Sequence, residues 1–135
     1  MLILKKEFFE QIVEHSRREL PDEACGILSG KDGRVEKVYQ MINARASPEN
    51  YEMDSKEQFK IMKEMRNSGL EMLGVYHSHV ASEARPSPRD AELAFYPDAS
   101  YLIVSLKDKN NPCVRSFKIV DGKIEEEELK IVEEL

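Results

Sequence analysis

The stretch LEMLGVYHSHVASEARPSPRD, at residues 70–90, contains the signals for a strand, a loop and a helix in direct succession. Residues 70–78 are mainly apolar or aromatic and are predicted to form a strand that runs into the protein interior. The small residues and two prolines of the next segment predict an exposed loop over 80–88. Ser87 has the residue type of a helix N-cap and Pro88 suits the first helical position, so we expect a helix to begin there.

Elsewhere in the chain, helical and strand patterns are mixed without a regular alternation. Apolar residues recur at helical spacing in residues 5–19 and again in 55–67. Asp-Gly pairs at 32–33 and 121–122 predict tight antiparallel hairpins. We therefore predict a single α+β domain over residues 1–135, with a mixed, mainly antiparallel sheet flanked by helices. The remaining strands are predicted at 24–29, 35–42, 101–106, 113–120 and 123–132.

The composition is that of one folded domain: 135 residues, 41% of them hydrophobic and 34% charged. The apolar runs are far shorter than the roughly 18 residues of a membrane span, and the N-terminus lacks signal-peptide features, so we expect a cytoplasmic protein without membrane contact. The net charge of −6 argues against nucleic acid as a partner, because a duplex binder presents a basic face. Cys25 and Cys113 are expected to remain reduced thiols.

Two of the three histidines, His77 and His79, are at the end of the strand predicted in the opening stretch. Residues two apart in a strand point to the same face, with Cα atoms about 6.5–7 Å apart. Two imidazoles placed in this way can converge on one metal ion. The alternative is a pair of half-exposed histidines at a strand end, which the spacing alone does not exclude.

Three further polar residues each have an ordinary explanation when taken alone. Ser87 and Asp90 have the spacing of a capping box, in which the serine caps the helix and the acid reaches back to it. In the functional alternative, Asp90 leaves the cap and becomes a third metal ligand, giving two imidazoles, one carboxylate and a water. Glu23 lies at a predicted helix-to-strand connection and, by itself, is one of the 26 acidic residues of the chain.

In combination, these residues resemble a known motif. The pattern resembles the JAMM, or MPN-plus (Mov34/MPN/PAD-1), zinc metalloprotease motif. It consists of Glu23, then His77-Ser78-His79, seven residues, Ser87, two residues and Asp90. The surrounding segments PDEACGILSG, NYEMDSKEQF and ARPSPRDAELA are similar to those of small prokaryotic members. Many relatives have proline after the second histidine where this chain has Val80, which bears on the shape of the loop rather than on the ligands.

The resemblance implies a JAMM/MPN-like fold, related to that of cytidine deaminases, and one Zn²⁺ per chain. His77, His79 and Asp90 would bind the zinc. Glu23 would be the general acid/base, and Ser87 would assist the developing oxyanion. The implied activity is hydrolysis after the C-terminal Gly-Gly of a ubiquitin-like or sulfur-carrier protein.

Three other expectations follow from the resemblance. One alternative function is a catalytically inactive MPN-type scaffold that only binds ubiquitin-like partners. Another is a nucleic-acid function, suggested by DNA-repair proteins that share the fold, against which the acidic charge weighs. Family members often pair, so a homodimer is also expected.

Overall fold

The computed structural model describes residues 1–133 and has the predicted α+β architecture. Residues 134 and 135, the last two of the predicted domain, lie outside the described residues. The helices are α1 (Lys6–Arg18), α2 (Ser55–Asn67) and α3 (Pro88–Glu92). The strands are β1 (Leu2–Lys5), β2 (Cys25–Lys31), β3 (Arg34–Met41), β4 (Glu71–His79), β5 (Ser100–Ser105), β6 (Cys113–Val120), β7 (Lys123–Glu127) and β8 (Leu129–Val132).

These strands form one mixed sheet in the order β7-β6-β5-β4-β2-β3-β1-β8. Four of the seven neighbouring pairs are antiparallel, β2 with β3 and β4, and β6 with β5 and β7. The other three are parallel: β1 with β3, β1 with β8, and β4 with β5. β4 is therefore an interior strand, with β2 on one side and β5 on the other.

The two ends of the sheet differ from the sequence prediction. β1 was not predicted, and the single strand expected at 123–132 is divided at Glu128 into β7 and β8. The two halves pair with opposite ends of the sheet, although only one residue separates them. The backbone N–H of Leu2 donates to the Glu128 carbonyl at 3.0 Å, which ties the N-terminus to this junction. The sheet ends are thus brought together.

Both predicted Asp-Gly turns are present and have the backbone angles that this residue pair favours. Asp32 and Gly33 have φ values of +54° and +75°, and Asp121 and Gly122 have +51° and +76°. Positive φ at both central residues is typical of the type I′ hairpin turn, whose twist matches that of antiparallel strands. The turns connect β2 to β3 and β6 to β7.

The sheet buries apolar side chains on both faces, because helices cover each side. Alternate residues of β4 point in opposite directions: Tyr76 packs with Leu28 and Leu102 under α1, whereas Val75 lies in a cluster on the other face. Met65 of α2 contributes to a third buried cluster. None of the helices within residues 1–133 has the length and apolar character that a bilayer crossing requires.

Candidate metal centre and active site

Three potential ligand atoms meet at the carboxyl end of β4. His77 Nε2 and His79 Nε2 are 3.1 Å apart, as expected for alternate residues on one face of a strand. Asp90 Oδ2 lies 3.2 Å from His77 Nε2 and 3.1 Å from His79 Nε2. The three atoms form a nearly equilateral triangle, which we call the ligand triangle. The exposed fractions of these side chains are 2%, 7% and 14%, so the triangle is recessed from solvent.

The dimensions of the ligand triangle suit a zinc ion. Zinc bonds to nitrogen and carboxylate oxygen are about 2.0–2.2 Å long, and tetrahedral geometry then separates two ligand atoms by roughly 3.3 Å. The observed separations of 3.1 and 3.2 Å are close to this value. Two imidazoles and one carboxylate also leave a fourth vertex open, which distinguishes catalytic from structural zinc sites. The three residues could therefore hold the metal that the sequence predicts.

His79 is oriented by a hydrogen bond on its other ring nitrogen. Nδ1 donates to the backbone carbonyl of Glu83 at 2.8 Å. Because a carbonyl oxygen can only accept, the neutral ring carries its proton on Nδ1 and presents a lone pair at Nε2. This is the tautomer that a metal ligand requires, and such outer hydrogen bonds usually accompany metal-binding histidines.

Asp90 takes part in the helix cap and in the ligand triangle with the same carboxylate. The Ser87 N–H donates to Asp90 Oδ2 at 2.9 Å, and the Asp90 N–H donates to Ser87 Oγ at 3.1 Å, completing a capping box. Asp90 therefore faces both histidines without leaving the cap, and its role as a metal ligand stays a prediction. Burial opposes ionisation, but hydrogen bonds with His77, His79 and the Ser87 backbone outweigh it and hold the pKa of Asp90 below its ordinary value.

Glu23 comes close to the ligand triangle through the pairing of β2 with β4. Cys25 is opposite His77 in the register, and the Ser78 N–H donates to the Ala24 carbonyl at 3.0 Å beyond the end of β2. Glu23 lies one residue before this last contact, and the charges of His79 and Asp90 both act on its carboxyl group. Glu23 is only 5% exposed, and this burial raises its pKa to about 8. It is not an ordinary surface acid.

The five predicted site residues are thus brought together by four different connections. His77 and His79 are placed by one strand, and Asp90 contacts both of them. Ser87 joins through the cap, and Glu23 through the segment that leads into β2. The Ser87 hydroxyl accepts the Asp90 N–H, and a hydroxyl that accepts in this way still has its own proton to donate.

Tyr51 is a site residue that the sequence analysis did not single out. Its ring stacks on that of His77, with centroids 4.6 Å apart and planes inclined by 22°. The only signal for it was its place in the segment NYEMDSKEQF, which resembles the family. Tyr51 also lines a cavity of about 350 Å³. The cavity wall combines aromatic and apolar side chains with polar and charged ones, and it includes Met53, Arg89, Leu93, Phe95 and Tyr96.

A family comparison identifies the chain. The family model described as prokaryotic homologues of the JAB domain, Prok-JAB, matches residues 5–120. The chain belongs to the Prok-JAB family. The match includes all five predicted site residues, and the resemblance to small prokaryotic JAMM proteins is confirmed.

Named and solved proteins similar to this Prok-JAB chain cover most of its length. The CysO-cysteine peptidase of Mycobacterium tuberculosis is 42% identical over 136 residues, covering 99% of the chain and 93% of the relative. The desampylase of Pyrococcus furiosus is 38% identical over 96 residues, covering 71% and 69%, respectively. A solution structure of a Desulfitobacterium hafniense protein superposes with a TM-score of 0.91 at 46% identity, covering 100% of this chain and 95% of that one. The names of both relatives denote enzymes, which is consistent with a hydrolase of the JAMM type.

Proposed function

We propose that this chain is a zinc-dependent peptidase that hydrolyses the bond after the C-terminal Gly-Gly of a ubiquitin-like or sulfur-carrier protein. The observation that carries the proposal is the ligand triangle of His77, His79 and Asp90, with Glu23 buried just before the adjoining strand β2. Zinc in such a site supplies a water ligand with a pKa lowered to about 7 and polarises the substrate carbonyl. Side chains of the protein would carry out the proton transfers and stabilise the developing charge.

Glu23 is the proposed general acid/base. Burial raises the pKa of its carboxyl group, and a pKa closer to neutral suits a group that must both accept and return a proton. It takes a proton from the attacking water and delivers it to the leaving amine. No covalent intermediate is required, so Cys25 need not act as a nucleophile. Burial raises the pKa of Cys25 to about 12, which keeps that thiol protonated.

Ser87 is the proposed oxyanion donor. As water attacks, negative charge develops on the carbonyl oxygen of the substrate, and the unused proton of the Ser87 hydroxyl can stabilise it. The capping box fixes Ser87 relative to Asp90, so the donor is held in place before the substrate binds. Removal of one such donor typically lowers the rate by about 10²-fold or more.

The cavity beside Tyr51 is the proposed binding place for the extended tail of the substrate. It adjoins the ligand triangle through Tyr51, and its aromatic wall offers apolar contacts to side chains that precede the Gly-Gly pair. The ligand side chains are recessed, with exposures of 2%, 7% and 14%. Glycines suit such a site because they have no side chains and let the peptide backbone approach closely.

Two substrate classes are consistent with the names of the relatives. One is a sulfur-carrier protein with an amino acid attached to its C-terminus, as in the name CysO-cysteine peptidase. The other is a ubiquitin-like protein joined to a lysine, the linkage that the family resemblance also implies. The first relative matches almost the whole chain, so we propose the sulfur-carrier conjugate as the substrate to test first.

The proposal is tested by metal analysis and cleavage assays on one set of variants. The wild-type chain should hold about one zinc per chain, lose cleavage on chelation and regain it when zinc is restored. Glu23→Gln should keep zinc and lose turnover, by about 10²- to 10⁴-fold, whereas His77→Ala should lose both. Matched Gly-Gly-cysteine and Gly-Gly-lysine conjugates then separate the two substrate classes. Full activity of Glu23→Gln would overturn the role of that residue.

The alternative, a non-catalytic scaffold, predicts that a ubiquitin-like protein binds but no conjugate is cleaved. This chain has the histidine, serine and acid residues of the JAMM motif, which favours a catalytic function over a scaffold. A homodimer and a cytoplasmic location stay predictions, as does the lack of nucleic-acid binding, which a duplex-binding assay at physiological salt would check.

A further inference from the structure

The two histidines of the ligand triangle are held in different ways. His79 donates through Nδ1 to the Glu83 carbonyl at 2.8 Å. His77 Nδ1 is buried and has no hydrogen-bond partner among the described residues. Metal-binding histidines almost always have such a partner, because it fixes the orientation of the ring. Something other than a hydrogen bond must therefore orient the ring of His77.

Two rings contact His77 and limit its rotation. Tyr51 stacks on one face at a centroid distance of 4.6 Å and an angle of 22°. The ring of His79 meets it edge-on, at 5.0 Å and 61°. Rotation of the imidazole about its Cβ–Cγ bond would drive its edge into the Tyr51 ring, because tightly packed neighbours leave no space for the movement. Nε2 is thus kept directed at the other two ligands.

Tyr51 is itself held on both sides by the segment that joins β3 to α2. The Asn43 side chain donates to the carbonyl of Asn50 at 3.1 Å and accepts the Glu52 N–H at 3.1 Å. The Ala44 N–H donates to the Glu52 carbonyl at 2.7 Å. The residues on either side of Tyr51 are therefore fixed by hydrogen bonds, and its ring is a firm support rather than a mobile loop side chain.

We propose that Tyr51 is the positioning residue for His77 and performs, by ring stacking, the orienting role that the Glu83 carbonyl performs for His79. The inference rests on the proposed zinc site. It concerns metal affinity in the absence of substrate, and the aromatic ring rather than the hydroxyl group carries the effect. Phenylalanine at this position should therefore support zinc binding as well as tyrosine does, whereas an aliphatic residue of similar volume should not.

The test compares zinc affinity in Tyr51→Phe, Tyr51→Leu and the wild type, measured by competition with a chromophoric chelator. Tyr51→Leu should bind zinc about 10-fold or more weakly, the usual effect of losing an outer orienting contact. Tyr51→Phe should stay within about 2-fold of the wild type. Phe95→Leu is the matched control, because it removes another ring from the same cavity wall and should leave zinc affinity unchanged.

A second readout separates positioning from general destabilisation. Unfolding of the metal-free variants shows how much of each chain is folded, and Co²⁺ in place of zinc reports ligand geometry through its absorption spectrum. We expect an altered cobalt spectrum only in Tyr51→Leu. Equal zinc affinity in Tyr51→Leu and the wild type would overturn the inference, as would a Tyr51→Phe variant that binds as weakly as Tyr51→Leu. If the wild type binds no zinc, the proposed function itself fails.

Discussion

Replacing Tyr76 with phenylalanine removes one buried hydrogen bond between α1 and β4. The Tyr76 hydroxyl and His15 Nδ1 are 2.7 Å apart, and the two residues are 0% and 3% exposed. The rings meet edge-to-face with centroids 5.9 Å apart. Phenylalanine keeps the ring and this contact, so the substitution tests the hydrogen bond alone.

The expected loss of unfolding free energy follows from the histidine nitrogen that loses its partner. His15 Nδ1 would remain buried without a partner, which typically costs about 1–3 kcal/mol of unfolding free energy. The unfolding entropy of a 135-residue chain is about 0.28 kcal/mol/K near its melting temperature. The expected decrease in Tm is therefore about 4–11 °C.

The assay is thermal unfolding of the metal-free chain at pH 8, where the buried His15 is neutral. Tyr39→Phe is the matched control: Tyr39 is 7% exposed, and its hydroxyl has no hydrogen-bond partner among the described residues. Removing that hydroxyl should leave Tm unchanged or raise it slightly, since nothing loses a partner. If the two variants melt at the same temperature, the reasoning is refuted.

Three further outcomes are expected. Burial lowers the pKa of His15, so the unfolded chain binds more protons below pH 6.5. The stabilisation by neutral His15 is complete above that pH and is lost on acidification, by at most about 1.4 kcal/mol per pH unit. In urea unfolding, the stability of the wild type relative to His15→Gln should therefore fall from pH 8 to pH 5. Ser87→Ala should lower turnover about 10²-fold and the free energy of unfolding by about 0.5–2 kcal/mol. It should keep its zinc because the Asp90 carboxylate is untouched. Loss of zinc would contradict the assignment of separate roles to Ser87 and Asp90. Gly26→Ala adds a methyl group that overlaps the Tyr76 ring and the backbone carbonyl oxygen of Tyr39. The free energy of unfolding should therefore decrease by an amount typical of overpacking, about 1–3 kcal/mol; an unchanged Tm would show that both neighbours move aside without cost.

Several features were predictable from short stretches of sequence because the physical causes are local. The two-residue period of a strand places His77 and His79 on one face. The Ser87 cap begins α3 where its hydroxyl can accept a backbone N–H. The Asp-Gly turns require only that two adjacent residues adopt positive φ. Each of these depends on neighbours within about one helical turn.

Other features depended on which distant segments pair, and local sequence contains no signal for that. β1 is only four residues long and borders the first helix, so its strand character comes from pairing with β3 and β8. The division at Glu128 arises because one segment satisfies backbone groups at both ends of the sheet.

For the site itself, the sequence determined which residue types were present and which of them shared a strand or a cap. Tertiary structure alone decided that the capping carboxylate of Asp90 also faces both histidines with one oxygen. It also buried Glu23 just before the strand that pairs with β4, and it set the ring of Tyr51 against His77. The physical reason is that burial and contact between residues far apart in the chain arise only when the whole sheet assembles.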